Sequence, residues 1–383
     1  MNYDIIIVGG GFAGLATAIN ASRNNLNCLV IEKEKELGYP VHTSGGSWYS
    51  EMLQLGLDKN LLHPINSIAF HSPSGDVVSA SFKDQDPYGC IIDVRGTIQF
   101  LAMKAAQEGA HIIPNTKVLS PILENGEIVG VNTKSSGSES KNIFSKIVVD
   151  ASGSLSLITR KLGLKKGKWQ RYGIGAEYEA YVPKLPDENH VDFILGEKFA
   201  PAGYAWVFPT GTGKNRARIG VGIIRPDSKE TPFKYLEAVM NHHPNVSKYL
   251  KHAVPIEYHH GIFPCEGPLP KTVLNRFISV GDAAGHGSPL VGEGIRYALQ
   301  FGYLAGEIAA NAIAADDVSE DYLMQFYEEK WKEQIETNFK IALEIQKRLA
   351  GYSDDDWERK ISMLKALDFE RLLVFLNKLK GEL

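Results

Sequence analysis

Residues 4–14 read DIIIVGGGFAG. The run from Ile5 to Val8 predicts a buried strand, which passes into a glycine turn and then a helix. Gly9, Gly11 and Gly14 fill the G-x-G-x-x-G spacing. Gly9 permits the tight turn, Gly11 lets the backbone approach a pyrophosphate, and Gly14 lets the helix pack closely on the strand. The helix N-terminus then faces the anion. The glycines alone are a weak signal, but their context agrees. Residues 15–21 continue as a helix of small residues, and residues 27–31 form the next strand. Glu32 ends that strand, 18 residues after Gly14, where an acid accepts both hydroxyls of an adenosine ribose.

The chain has 383 residues, enough for two domains or one large composite domain. At 44% hydrophobic and 22% charged residues, it has the composition of a globular protein. The net charge of −4 and the lack of a basic block argue against a nucleic-acid partner. Cys28, Cys90 and Cys265 are far apart, which gives neither a disulfide framework nor a metal-ligand spacing. The expectation is therefore no metal and a reducing, cytoplasmic interior. No signal peptide fits in front of the first strand, and no apolar run is long enough to span a bilayer.

Beyond Glu32, a charged loop beginning at Lys33 leads into residues 39–50, YPVHTSGGSWYS. A loop rich in Gly, Ser and Thr at this place can fold over an isoalloxazine ring, with Ser44 and Gly46 as contacts. Short apolar runs between 61 and 92 predict strands outside the nucleotide sheet. Arg95 sits where residues 93–95 enter a helix over 96–108, placed to grip a diphosphate. The strand over 146–150 ends in DASG, where Asp150 and Gly153 close a turn at the ligand-binding edge of an α/β sheet. From 172 to 262 the pattern is mainly antiparallel strands, with a helical segment over 231–252. Tyr204, Trp206 and Phe208 alternate, so they share one strand face. That face is either an aromatic wall for an apolar ligand or a sheet core. A strand over 276–280 runs into Asp282, a candidate for a ribityl hydroxyl, and a helix follows near Gly292. The N–H groups of Gly292, Glu293 and Gly294 would face a developing negative charge. Residues 319–383 read as amphipathic helices that pack on the body or, from the Leu, Phe and Lys of the last turns, touch a membrane surface.

Together, the glycine fingerprint, the Arg95 junction, DASG at 150–153 and GDAAGHGSPLVGEGI at 281–295 resemble flavoproteins of the glutathione-reductase and hydroxylase superfamily. More narrowly, PAGYAWVFP at 201–209 resembles the P-x-x-Y-x-W-x-F-P motif of the geranylgeranyl reductase family. The resemblance implies an α/β, Rossmann-type FAD/NAD(P)-binding domain with an inserted, mainly antiparallel β substrate domain and a helical C-terminus. It places the FAD-binding domain at 1–60, 93–165 and 270–318, the substrate domain at 61–92 and 166–269, and a helical segment at 319–383. It also implies Ala13, Gly14 and Glu32 at the ADP half of FAD, Arg95 at the diphosphate and Val118 near the adenine. Asp282 is then at the ribityl, with Gly294 and Ile295 near the isoalloxazine. Tyr204, Trp206 and Phe208 become substrate contacts. There are two departures from the family pattern. His42-Thr43-Ser44 replaces the usual Cys-Gly pair, and Gly292-Glu293-Gly294 replaces Gly-Gly-Gly.

The implied chemistry is reduction of C=C bonds in an isoprenoid lipid, by hydride from reduced flavin and a proton from an acid. Candidate acids are Glu293, His286, His42 and Tyr204, with Glu293 first. A flavin monooxygenase, an electron carrier and a non-redox, lycopene-cyclase-like flavoprotein share the same flavin motifs. No second glycine fingerprint lies between a strand and a helix, so no dedicated nicotinamide domain is expected, and the sequence does not specify whether the electron donor is NADPH, a ferredoxin or another carrier. The sequence does not specify an oligomeric state.

Overall fold

A computed structural model describes residues 2–83 and 85–381. The opening stretch forms the strand Asn2–Val8 and the helix Phe12–Arg23. This strand lies at the centre of a sheet, parallel to Cys28–Ile31 on one side and Ser140–Asp150 on the other. Phe277–Ser279 pairs in parallel with Ser140–Asp150, and His111–Ile113 with Cys28–Ile31. Apolar runs such as Ile5–Ile6–Ile7 suit a strand covered on both faces, and all three are fully buried. The register aligns Val8, Ile31, Asp150 and Ser279, so the segments after them leave the sheet along one edge. Ligands bind at such an edge of carboxyl ends.

The helix Ile295–Ala314 packs along Phe12–Arg23. Small residues permit the approach: a side chain at Gly302 would overlap Ala13 O, and one at Gly306 would overlap Thr17 O. This helix begins at Ile295 rather than near Gly292. Gly292 is in the left-handed region (φ +68), and its N–H donates to Ser288 O at 3.0 Å. That N–H is therefore not free to face a developing charge.

A second sheet has seven strands, antiparallel except where His190–Ile194 runs beside Ser67–His71. One of its faces packs on the helix Pro232–His242 through Leu236 and Val239. The other turns Trp206 and Phe208 toward the last two helices, Asp354–Lys365 and Phe369–Leu379. Strands Leu62–Ile65 and Gly89–Ile92 do not join this sheet. Gly89–Ile92 is the middle strand of a separate three-stranded sheet, antiparallel to Leu62–Ile65 on one side and, on the other, to Gly46–Trp48 from the segment expected to be a ring-covering loop. No helix among the described residues is long and apolar enough to cross a membrane.

Candidate active site

The aligned strand ends open into one cavity of about 1690 Å³, well above the roughly 300–1000 Å³ of a drug-sized site. The glycine turn, the segment 38–48, the aromatic strand Tyr204–Pro209, the turn 289–295 and the C-terminal helices all line it.

At the nucleotide end, Gly9 has φ +110, and a side chain there would overlap Ala151 O. A side chain at Gly14 would overlap Gly9 O, so Gly14 sits at the helix–strand contact and not on the cavity wall. Gly11 is the opposite case. A Cβ there would meet no atom of the described residues within 4 Å beyond its two chain neighbours, and Gly11 lines the cavity. Glu32 is at the same end, where Oε2 accepts from Gly10 N at 2.7 Å and Oε1 from Glu34 N at 2.8 Å. Ala13, Val118 and Gly153 line this end too, as does Lys33, which is ion-paired with Glu34.

In the middle of the cavity, Ser44, Gly46, Gly292, Gly294 and Ile295 are wall residues. Asp282 joins them, its carboxyl raised by burial to about 6. Glu293 is buried beside them. Its Oε1 accepts from Arg296 N at 2.8 Å and from Ser47 Oγ at 3.3 Å. Among the described residues its Oε2 has no hydrogen-bond partner, and it lies 3.6 Å from Arg296 Nε. Burial pushes this carboxyl above the usual range, outweighing the Arg296 guanidinium and the two hydrogen bonds.

At the far end, Tyr204, Trp206 and Phe208 form the expected wall, Trp206 stacked near Phe208 with centroids 5.9 Å apart. Gly220 makes room for the indole, since a side chain there would overlap the Trp206 ring. Tyr204 Oη donates to Val291 O at 2.5 Å, which commits its proton to that carbonyl. His42 lines the mouth of the cavity, exposed, with Nδ1–H donating to His260 O at 3.1 Å.

Besides Gly14, three expected site residues lie off this wall. Arg95 is half-exposed and does not line the cavity; its guanidinium is held by Glu36, which does line it, with Nε to Oε1 at 2.7 Å. Asp150 is fully buried under the turn. Its Oδ2 accepts from Ile158 N, Thr159 N and Thr159 Oγ1, and its Oδ1 accepts from Ser152 N. It caps the short helix Leu157–Lys161. Asp150→Ala is therefore expected to cost about 3 kcal/mol of stability, read as a lower Tm of the apoprotein. An unchanged apoprotein Tm would contradict the capping role. His286 is sealed in the core between Phe301 and Trp331, each with its centroid 4.9 Å away. Burial depresses its imidazole to about 3, so it stays neutral and has no path to a substrate.

Sequence reasoning missed two parts of the wall. One is the roof formed by Leu364, Leu376 and Leu379 of the C-terminal helices, whose apolar spacing was a readable signal. The other is the buried charged pair Glu177 and His259, legible only as charges at inward-facing strand positions. Cys90 and Cys265 also line the cavity. Burial raises both thiols, Cys265 to about 12, so neither is a thiolate near neutrality.

The chain is similar to the digeranylgeranylglycerophospholipid reductase of Methanococcus vannielii, with 36% identity over 87% of this chain and 83% of that protein. The chain belongs to the geranylgeranyl reductase family. The reductase of the same name from Methanocaldococcus jannaschii is 33% identical over 98% of this chain and 94% of its own length. A geranylgeranyl bacteriochlorophyll reductase-like protein from Thermoplasma acidophilum superposes with a TM-score of 0.88 at 27% identity, covering 96% and 92% of the two chains. Residues 172–261 match the model of the geranylgeranyl reductase catalytic domain, and residues 4–160 that of FAD-dependent oxidoreductases. This member of the family is thus an FAD-dependent oxidoreductase, with the fold its glycine fingerprint implied. Its wall fits the cofactor: the bare backbone at Gly11 leaves the space a pyrophosphate needs, beside the Glu32 carboxylate.

Proposed function

We propose that this protein reduces C=C bonds in the geranylgeranyl chains of a glycerophospholipid. The observation that carries the reading is the continuity of the cavity. The glycine turn, the buried Glu293 and the aromatic wall open into one space, large enough for a dinucleotide and an isoprenoid chain together. We assign the ADP half of FAD to the turn Gly9–Gly11, Ala13, Glu32 and Val118. The ring end goes to Ser44, Gly46, Asp282, Gly294 and Ile295. When bound and reduced, FAD supplies the hydride.

The remaining work falls to the chain's own residues. Trp206, Phe208, Leu364 and Leu376 offer an apolar slot that binds the isoprenoid and excludes water. Holding the alkene there replaces a bimolecular encounter with a fixed geometry. An isolated alkene is a poor electrophile, so the proton must arrive nearly together with the hydride. Glu293 is placed to deliver it: raised carboxyl, one oxygen held by Arg296 N and Ser47 Oγ, the other without a hydrogen bond among the described residues. Arg296 beside it tempers the shift, so the group can give up its proton and be recharged.

The reading is tested by supplying a chemical reductant and a geranylgeranyl lipid with and without oxygen. Turnover that is independent of oxygen supports it. Substrate-stimulated oxygen uptake with a hydroxylated product would replace it with a monooxygenase.

A further inference from the structure

Trp206 is placed in the cavity wall by a buried network of charges. Its indole Nε1–H donates to Glu177 Oε2 at 2.8 Å. Glu177 Oε1 in turn accepts from His259 Nδ1 at 3.0 Å and lies 4.0 Å from Arg218 Nε. His259 Nε2 is 3.2 Å from Glu257 Oε2, so both ring nitrogens face carboxylates. The Glu177 and Glu257 contacts outweigh burial and raise the imidazole of His259. Arg218 is buried as well. Its Nη1 donates to Ser44 O at 2.7 Å and Ile92 O at 3.2 Å, and its Nε donates to Glu179 Oε2 at 3.2 Å. The network therefore spans three neighbouring strands of the seven-stranded sheet, Tyr172–Tyr181, Arg216–Arg225 and Val254–Pro264. It reaches from the indole to the segment assigned above to the flavin ring.

Placing an ionised carboxylate in an apolar wall is costly unless it is fully paired. An indole needs only one acceptor, and a neutral oxygen would serve. A charged acceptor makes a stronger and more directional bond. The indole stacks on Phe208 and lies over Gly220, where a Cβ would overlap Cζ2, Cε2 and Nε1, and the bond to Glu177 is the side-chain hydrogen bond that holds its polar edge.

We propose that Glu177 is a positioning residue: it fixes the indole of Trp206 against the isoprenoid chain, with His259 and Arg218 holding it in register with the segment at Ser44. The inference rests on the reading of this wall as the isoprenoid slot.

The experiment measures equilibrium binding of geranylgeranyl diphosphate, used as a soluble probe of the chain, to the FAD-loaded protein. The proteins are the wild type, Glu177→Ala, Glu177→Gln, Trp206→Phe and the Glu177→Ala/Trp206→Phe pair. Leaving the buried indole N–H unpaired is expected to raise Kd about tenfold in Glu177→Ala. Trp206→Phe removes the group being held, so the pair is expected to bind no more weakly than the weaker single variant. Glu177→Gln keeps an acceptor oxygen and is expected to recover most of the affinity. FAD absorbance is expected to stay at the wild-type level throughout. Losses that multiply in the pair, a Glu177→Gln as weak as Glu177→Ala, or lost FAD would each overturn the proposal. The readout is binding rather than turnover. A wild type that binds the probe but never reduces a geranylgeranyl lipid would therefore contradict the proposed function and leave this inference to stand or fall on its own data.

Discussion

Glu293→Gln is expected to keep its FAD and lose about 100-fold or more in kcat for C=C reduction. Glutamine matches glutamate in shape and can keep the bonds from Arg296 N and Ser47 Oγ. It cannot hold an acidic proton on the other oxygen. In the wild type that oxygen, Oε2, is without a hydrogen bond among the described residues. Burial favours the protonated form of the carboxyl, and its net shift is upward. The sign of the pH dependence follows. A general acid must carry its proton, so activity is full below this raised pKa and falls as pH rises through it. Glu293→Gln is expected to lose that alkaline limb along with the rate. A variant that turns over at the wild-type rate would exclude Glu293 as the proton donor, and the exposed His42 would be the next residue to replace.

Two glycine substitutions two positions apart are expected to fail in different ways. Gly9→Ala forces a side chain into the left-handed region and into Ala151 O, at a cost of about 3 kcal/mol or more. The loss should appear as a lower Tm even without FAD. Gly11→Val meets no atom of the described residues within 4 Å of its Cβ beyond its two chain neighbours, and its extended backbone (φ −85, ψ −169) accepts a β-branched residue. Its apoprotein should stay within about 0.5 kcal/mol of wild type. FAD affinity should nevertheless fall about 100-fold or more, because the valine fills the space left for the pyrophosphate. Visible absorbance of the purified protein and calorimetry of the apoprotein separate the two effects. A Gly11→Val protein that purifies with full FAD would contradict the reading of this turn as a pyrophosphate seat.

The parts of the site that were legible are those where local sequence imposes the geometry. The turn at Gly9 needs a positive φ, and the alternation of Tyr204, Trp206 and Phe208 puts three rings on one face whatever the rest of the chain does. Residues lie away from the expected wall where a distant partner decides. Arg95 looked ready for a diphosphate, but Glu36 holds its guanidinium. Asp150 ended a strand at the ligand edge, but the N–H groups of the next helix claim its Oδ2 and Ser152 N claims its Oδ1. His286 was a candidate acid in a glycine-rich stretch, yet Phe301 and Trp331 close over it. The start of the following helix moved three residues because the turn at Gly292 is closed by Ser288. The roof supplied by Leu364 and Leu376 was readable as amphipathic helix, but nothing local says which surface such a helix covers.

The most direct test of the account is made without oxygen. The FAD-loaded protein is reduced with dithionite, mixed with a lipid carrying geranylgeranyl chains, and followed by flavin absorbance, with the product weighed by mass spectrometry. The account predicts that the flavin reoxidises only when lipid is present, and that the lipid gains two hydrogens for each double bond reduced. A flavin that stays reduced beside the lipid, with the lipid recovered at its starting mass, would contradict it.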